Sequence, residues 1–121
     1  MARIVNLHSW NDNRGVLTVL DKELPFAIRR AFWITSAMGR RGGHRHKHNC
    51  MALVSVGGSC EVYVNDGNKK NTFVLDNPQT LLILDPEDWH TMDKFTTDCV
   101  LLVLASHTYE KEDYIDQEYN N

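Results

Sequence analysis

Short runs of apolar residues recur along the whole chain. In some runs apolar and polar residues alternate, in others the apolar residues are continuous, and Gly, Asn, Asp and Pro stand between the runs. Both patterns are typical of β-strands. So many short strands predict an all-β protein, either a sandwich or a barrel. We predict strands at residues 16–20, 31–35, 51–56, 60–65, 71–75, 81–84 and 99–105.

Turn residues support these boundaries. Asp66 and Gly67 lie between two predicted strands, and Asp-Gly favours a tight hairpin because glycine tolerates positive φ. Pro86 follows the run at residues 81–84 and is expected to end that strand, since proline has no N–H to donate. Only residues 110–115 have a helical composition, which predicts a short C-terminal helical turn.

The length and composition indicate one small domain. The chain has 121 residues, of which 42% are hydrophobic and 24% charged, as in ordinary globular proteins. We therefore predict a single domain over residues 1–121. The formal net charge of -3 provides no basic field for nucleic acid, so we expect no nucleic-acid partner. The apolar edges of so small a barrel predict pairing with a second copy.

The cysteines and the N-terminus indicate the compartment. Cys50, Cys60 and Cys99 are odd in number and widely spaced, which argues against a disulfide framework. No apolar run follows a basic stretch at the N-terminus, so neither export nor membrane anchoring is indicated. We expect a cytoplasmic protein with reduced cysteines and no membrane partner.

The candidate chemistry lies in one basic, histidine-rich stretch. On an extended strand His44, His46 and His48 would point to the same face, which would place three imidazoles together. Imidazole titrates near neutral pH, so such a face provides acid–base chemistry or a metal site. His90 follows the Pro86 turn and is the fourth candidate. The surrounding cationic residues suit a small anionic ligand, and a solvated loop is the alternative.

Two motifs resemble those of cupins. Gly43-His44-Arg45-His46 is similar to the first cupin motif, and the turn at Pro86 followed by His90 is similar to the second. The glutamate that cupins use as a metal ligand after the second histidine is absent, since Cys50 and Met51 stand there. Three histidines can still hold a catalytic zinc, so a metal-dependent small cupin that uses His44, His46 and His90 stays an alternative.

Almost the whole chain resembles the dTDP-sugar 3,4-ketoisomerases. The resemblance implies a single-domain jelly-roll cupin barrel, a homodimer without cofactor or metal, and a dTDP-linked 4-keto-6-deoxyglucose substrate that becomes the 3-keto isomer. It also implies a place in deoxysugar and surface-polysaccharide synthesis, such as the O-antigen of lipopolysaccharide. The matching stretches are residues 13–17, 25–30, 41–47, 58–62, 85–92, 98–106 and 113–115, of which the Arg-Gly-x-His-x-His-Lys motif at 41–47 is the most specific.

The resemblance also implies roles for single residues. His44 matches the acid–base residue, and His46 lies beside it to orient or relay. Arg41 matches the arginine that holds pyrophosphate or stabilises the enediolate, for which a guanidinium is suited. A salt bridge is the alternative role for Arg41 and for Arg30, and core packing is the alternative for Trp89. The implied substrate-binding residues are Arg41, Arg30, Phe32, Trp33, Trp89, His90 and Tyr109.

One departure from the family pattern affects the expected activity. The family usually has two tyrosines where this chain has Phe32 and Trp33. Phe32 removes a hydroxyl that could donate a hydrogen bond to the substrate or to the proton relay. A cupin that still binds the sugar nucleotide but has lost catalysis is therefore a second hypothesis.

Overall fold

The computed structural model describes residues 1–121 and contains twelve strands and one short 3₁₀ turn. The 3₁₀ turn is Lys111–Asp113, and it confirms the predicted C-terminal helical turn in a shorter form. The strands are Arg3–Asn6 (β1), His8–Asp12 (β2), Gly15–Val19 (β3), Arg30–Thr35 (β4), Arg41–His46 (β5), Met51–Gly57 (β6), Cys60–Asn65 (β7), Lys70–Leu75 (β8), Thr80–Leu84 (β9), Trp89–Asp93 (β10), Val100–Ala105 (β11) and Tyr114–Ile115 (β12).

The strands form two five-stranded sheets and a separate hairpin. One sheet has the order β1-β9-β6-β11-β4, the other has the order β12-β5-β10-β7-β8, and β2 pairs with β3 alone. Every pair of neighbours is antiparallel. The all-β prediction is confirmed, and the predicted jelly-roll arrangement takes the form of these two sheets.

The main core has side chains from both sheets. Thirteen buried residues form it, among them Leu53 and Val103 from the first sheet and Val62 from the second. Alternate residues of β6, β9 and β11 point the other way and form a smaller buried cluster that includes Ala52 and Ile83. Partly buried apolar side chains from the N-terminal part of the chain pack against this outer face, namely Val5, Leu7, Leu20, Leu24 and Phe26. The apolar runs at β6 and β9 are continuous because both faces of these strands are covered.

All seven predicted strands are present, with their ends displaced by at most a few residues. The hairpin at Gly67 is also confirmed, since β7 pairs with β8 from Cys60↔Leu75 to Asn65↔Lys70. The predicted ranges do not include the other five strands, which are β1, β2, β5, β10 and β12. All residues of β2 are exposed, so no apolar alternation marks it, and β12 has only two residues.

The turn between β9 and β10 sets the position of His90. β9 ends at Leu84, as Pro86 predicted. The buried carboxylate of Asp88 accepts a hydrogen bond from the Asp85 N–H at 2.8 Å, and the Asp88 N–H donates to the Asp85 carbonyl at 3.1 Å. This closed turn fixes the start of β10. The protein contains no helix with the length and apolar composition that a membrane span requires.

Candidate active site

Three histidines meet on neighbouring strands of the second sheet. His44 and His46 are alternate residues of β5 and lie on one face, and His90 on β10 pairs directly with His44. The ring centroid of His44 is 5.2 Å from that of His46 and 5.1 Å from that of His90. The nearest nitrogen atoms of the three rings all lie within 4.8 Å of one another. His48 does not join them, so its prediction was wrong: β5 ends at His46 and the chain bends away.

A β-bulge in β5 lets Arg41 and His44 share one cavity. His90 pairs with His44, but Thr91 pairs with Gly42, so Gly43 is the extra residue. On a regular strand, residues three apart point to opposite faces, and one extra residue restores them to the same face. Arg41 and His44 both line the cavity as a result.

The buried histidines are held from behind. The Nδ1 of His90 donates to the carbonyl oxygen of Asp88 at 3.0 Å, and the Nδ1 of His46 lies 2.8 Å from a carboxylate oxygen of Asp113. The Nε2 atoms of His46 and His90 are buried and have no hydrogen-bond partner in the protein. Both rings therefore have one anchored nitrogen and one free nitrogen.

Burial keeps the histidine cluster uncharged at neutral pH. Loss of hydration, together with the neighbouring His46, lowers the pKa of His44 to about 4. Complete burial lowers the pKa of His90 to about 3. Burial also lowers the pKa of His46, although the Asp113 carboxylate opposes this shift. Neutral imidazoles can accept protons, so the cluster can act as a base at pH 7.

The cavity beside the cluster has a volume of about 280 Å³. Its apolar wall includes Phe32, Met51 and Met92, and its polar groups are two arginines, two histidines and a tyrosine. Met51 lies where cupins have a glutamate that binds metal, so no carboxylate ligand is supplied at that position. The groups that could bind a metal here are the three imidazoles. They form a donor set of the kind that holds zinc.

The two arginines of the cavity are free of carboxylate partners. None of the ion pairs in the protein involves Arg30 or Arg41. The guanidinium of Arg30 lies 4.6 Å from the ring centroid of Phe32 and 5.6 Å from that of Tyr109. The positive charges of Arg30 and Arg41 are therefore available to an anionic ligand in the cavity.

The structure brings most of the predicted site residues together. Tyr109 is 61% exposed and lies beside Arg30. Trp89 is absent from the cavity, because it neighbours His90 on β10 and successive strand residues point to opposite faces. Its Nε1 donates to the carbonyl oxygen of Asp116 at 2.9 Å. The predicted residues that line the cavity are Arg30, Phe32, Trp33, Arg41, His44 and His90.

Sequence reasoning gave no role to two residues of the C-terminal segment. Tyr114 lines the cavity, and its ring centroid is 4.7 Å from that of His44 and 4.6 Å from that of His46. Asp113 contacts His46 from the other side. β12 brings them here by pairing Tyr114 with His46. Only the family-like stretch at residues 113–115 marked this segment, since its composition is polar.

The family model described as "FdtA: WxcM-like, C-terminal" matches residues 1–121. The protein belongs to this family. A relative from Aneurinibacillus thermoaerophilus, TDP-4-oxo-6-deoxy-alpha-D-glucose-3,4-oxoisomerase, is 40% identical over 123 residues, which cover 98% of this chain and 88% of the relative. The family prediction made from the motifs is thus confirmed.

Two solved structures have the same fold over nearly the full chain. A 3,4-ketoisomerase from Helicobacter canadensis is 37% identical, with a TM-score of 0.90 over 96% of this chain and 90% of that one. A histidine-to-asparagine mutant of the 3,4-ketoisomerase QdtA from Thermoanaerobacterium thermosaccharolyticum, in complex with TDP-4-keto-6-deoxyglucose, is 31% identical, with a TM-score of 0.91 over 96% and 87%. The cupin-type fold predicted from the motifs is confirmed by these structures.

Proposed function

We propose that the protein is a sugar-nucleotide 3,4-ketoisomerase that converts dTDP-4-keto-6-deoxy-D-glucose to a dTDP-3-keto-6-deoxyhexose. The observation that carries this proposal is the neutral cluster of His44, His46 and His90 beside a cavity with two unpaired arginines. The cluster supplies bases, and the arginines suit a diphosphate. Membership of the FdtA family and the similarity to 3,4-ketoisomerases support the substrate class.

The reaction moves two protons and needs no oxidant. A base takes the proton from C3, the electron pair of that C–H bond forms a C3=C4 double bond, and the C4 oxygen takes the negative charge. A proton then passes from the C3 oxygen to the C4 oxygen, and C4 receives a proton. This leaves the ketone at C3. Each transfer needs a group that accepts or donates a proton near neutral pH, as imidazole does.

We assign the transfers to the histidines in order of their access to the cavity. His44 lines the cavity and lies next to the substrate in this scheme, while His46 lies behind it and relays or orients. The negative charge of the diphosphate and of the enediolate favours the imidazolium, so substrate binding raises the pKa of His44 from its low value in the free protein. Arg41 and Arg30 bind the diphosphate or the enediolate oxygen.

The remaining side chains of the site bind the sugar. Phe32, Trp33 and His90 line the cavity and contact the hexose in this proposal, and Tyr109 covers its edge next to Arg30. Trp89 is left out of this set because its indole lies on the other face of β10.

A matched pair of histidine variants tests the assignment. His44→Asn removes the proposed base from the cavity, and His48→Asn changes an exposed histidine nearby. We expect purified wild type and His48→Asn to convert dTDP-4-keto-6-deoxyglucose to a 3-keto product in proton NMR spectra. His44→Asn is expected to lose a factor of about 100 or more in kcat. Equal turnover of the two variants would refute the role of His44.

We further propose that the chain acts as a single domain and as a homodimer. The β2–β3 hairpin exposes Trp10 at 54%, Val16 at 54% and Leu17 at 63%, and Trp33 beside the cavity is 67% exposed. Apolar surface of this kind is stabilised by burial against a second copy. The cytoplasm supplies nucleotide sugars for surface polysaccharides such as the O-antigen of lipopolysaccharide, and we place the reaction there. Analytical ultracentrifugation tests this proposal, since a dimer has twice the 13.9 kDa mass of one chain.

Two other functions have specific observations in their favour. Phe32 in place of the family tyrosine favours a protein that binds the sugar nucleotide without isomerising it, and bound ligand without turnover would establish that function. The three imidazoles within 4.8 Å favour a metal-dependent cupin, with His44, His46 and His90 as ligands and the metal as a Lewis acid. Elemental analysis of protein purified without added metal decides this, since less than stoichiometric metal would refute it.

A further inference from the structure

We infer that Asp113 is a positioning residue that holds His46 in the tautomer with its proton on Nδ1, so that the unprotonated Nε2 faces the histidine cluster. The inference rests on the proposed isomerase function, because it gives His46 a defined state in that reaction. Asp113 is 67 positions from His46 along the chain and lies outside both histidine motifs. It reaches the site through the 3₁₀ turn that precedes β12.

The hydrogen bonds of Asp113 identify it as a charged acceptor. One carboxylate oxygen accepts the backbone N–H of His48 at 2.7 Å, and the other lies 2.8 Å from the Nδ1 of His46. The backbone carbonyl of Asp113 accepts the N–H of Lys47 at 2.9 Å, which fixes the carboxylate against the end of β5. Burial opposes ionisation, but the hydrogen bonds to the carboxylate, of which the one from the His48 N–H has the largest effect, outweigh it and lower the pKa of Asp113.

An ionised Asp113 determines where the proton of His46 lies. A carboxylate can only accept hydrogen bonds, so the ring nitrogen that faces it must carry the proton. In the opposite tautomer the Nδ1 lone pair would face a carboxylate oxygen at 2.8 Å, inside a site where His46 is only 4% exposed. The Nε2 of neutral His46 therefore has a free lone pair, and this atom has no partner in the protein.

The position of His46 suits a proton relay. Its ring centroid is 5.2 Å from that of His44 and 4.6 Å from that of Tyr114, so it lies directly behind the imidazole that lines the cavity. A proton taken from the substrate by His44 can pass to His46, where the carboxylate of Asp113 stabilises the imidazolium. His90 has only a neutral carbonyl behind it. Among the three histidines, His46 is thus the one whose surroundings best stabilise the positively charged imidazolium.

The substitution Asp113→Asn tests the inference with little change in shape. The asparagine oxygen can still accept the N–H of His48, while its amide group donates to the Nδ1 of His46 and moves the ring proton to Nε2. We expect kcat to fall by a factor of about 100 or more and KM to change by less than about threefold. Nitrogen-15 NMR of the His46 ring is expected to show the proton on Nδ1 in the wild type and on Nε2 in the variant.

Glu118→Gln is the matched control for the C-terminal segment. Glu118 accepts the hydroxyl of Tyr63 at 2.7 Å and the amide of Asn65 at 2.9 Å, so it anchors the same segment without touching the histidines. We expect this variant to keep the wild-type kcat and the wild-type His46 tautomer. A similar loss in Glu118→Gln would overturn the inference, because the effect would then come from detachment of the segment.

Two further results would also overturn the inference. One is a wild-type His46 with its proton on Nε2, and the other is Asp113→Asn with a kcat within about threefold of the wild type. A wild type that binds the sugar nucleotide but never turns it over would refute the proposed function instead. The NMR measurement needs no substrate, so it decides the state of His46 in either case.

Discussion

The bulge of β5 contains two glycines with nearly the same positive φ and different surroundings. Their φ angles are +86° for Gly42 and +85° for Gly43. A Cβ on Gly42 would lie 3.0 Å from the carbonyl oxygen of His90 and 3.2 Å from the Cα of Thr91, whereas a Cβ on Gly43 would have no atom within 4 Å. Alanine at each position therefore separates the cost of the positive φ from the cost of crowding β10.

The two substitutions differ in expected magnitude. A left-handed conformation costs an L-residue about 1–2 kcal/mol, and we expect Gly43→Ala to lower the free energy of unfolding by about this amount. Gly42→Ala adds the cost of overpacking against a rigid backbone, about 1–3 kcal/mol, for a total of about 2–5 kcal/mol. Because the crowded atoms belong to β10, Gly42→Ala also displaces His90, and we expect it to lower kcat more than Gly43→Ala does.

Urea denaturation of both variants measures the difference. The free energy of unfolding is obtained by linear extrapolation, and an unchanged slope shows that the same surface is exposed in each protein. Turnover of the two variants is then compared under conditions where both are folded. Equal losses of stability would refute the close packing of Gly42 against His90. A destabilised Gly42→Ala with full turnover would refute the proposal that this contact positions the histidine cluster.

Three further predictions concern pH, the cavity wall and the exposed hairpin. Burial lowers the pKa of His44 to about 4 and that of His90 to about 3, so the unfolded chain binds more protons than the folded protein below pH 6.5. The free energy of unfolding is therefore expected to decrease as the pH is lowered from 6.5. Asp88, with its pKa raised to about 6, reduces the slope, and a flat profile in urea titrations would contradict the buried neutral cluster. Phe32→Tyr restores a hydroxyl to the cavity wall and is expected to raise initial rates by up to about tenfold, whereas an unchanged rate would argue against substrate contact. Trp10→Asp is expected to shift the sedimenting mass from dimer to monomer, and an unshifted dimer would exclude the hairpin from the interface.

The sequence predicted the features that depend on local pattern. The continuous runs at β6 and β9 are recognisable because both faces of these strands are covered, and Pro86 marks the end of β9. The cupin motifs also indicated that His90 belongs to the same site as His44 and His46, in a position across the barrel from them. The structure brings His90 and His44 together, but as paired residues on neighbouring strands of one sheet rather than across the barrel.

The features that were missed depend on contacts between distant positions. Tyr114 pairs with His46 through β12, and no local pattern marks a strand of two residues. Trp89 is a residue type that often lines ligand pockets. The face of the sheet on which its side chain lies depends on the register of β10 against β7, where Trp89 pairs with Asn65. The bulge at Gly43 likewise reverses the side on which Arg41 lies relative to His44. Each of these is a property of pairing and not of composition.

The most direct test of the proposed function is proton NMR of the purified protein with dTDP-4-keto-6-deoxyglucose in heavy water. Transfer by exchangeable imidazoles predicts loss of the C3 proton signal, deuterium at C4 and new signals of a 3-keto hexose. The His44→Asn variant is expected to show these changes at least about 100 times more slowly. A bound sugar nucleotide that keeps its C3 proton would contradict the proposal, and it would identify the cavity as a recognition site without isomerase activity.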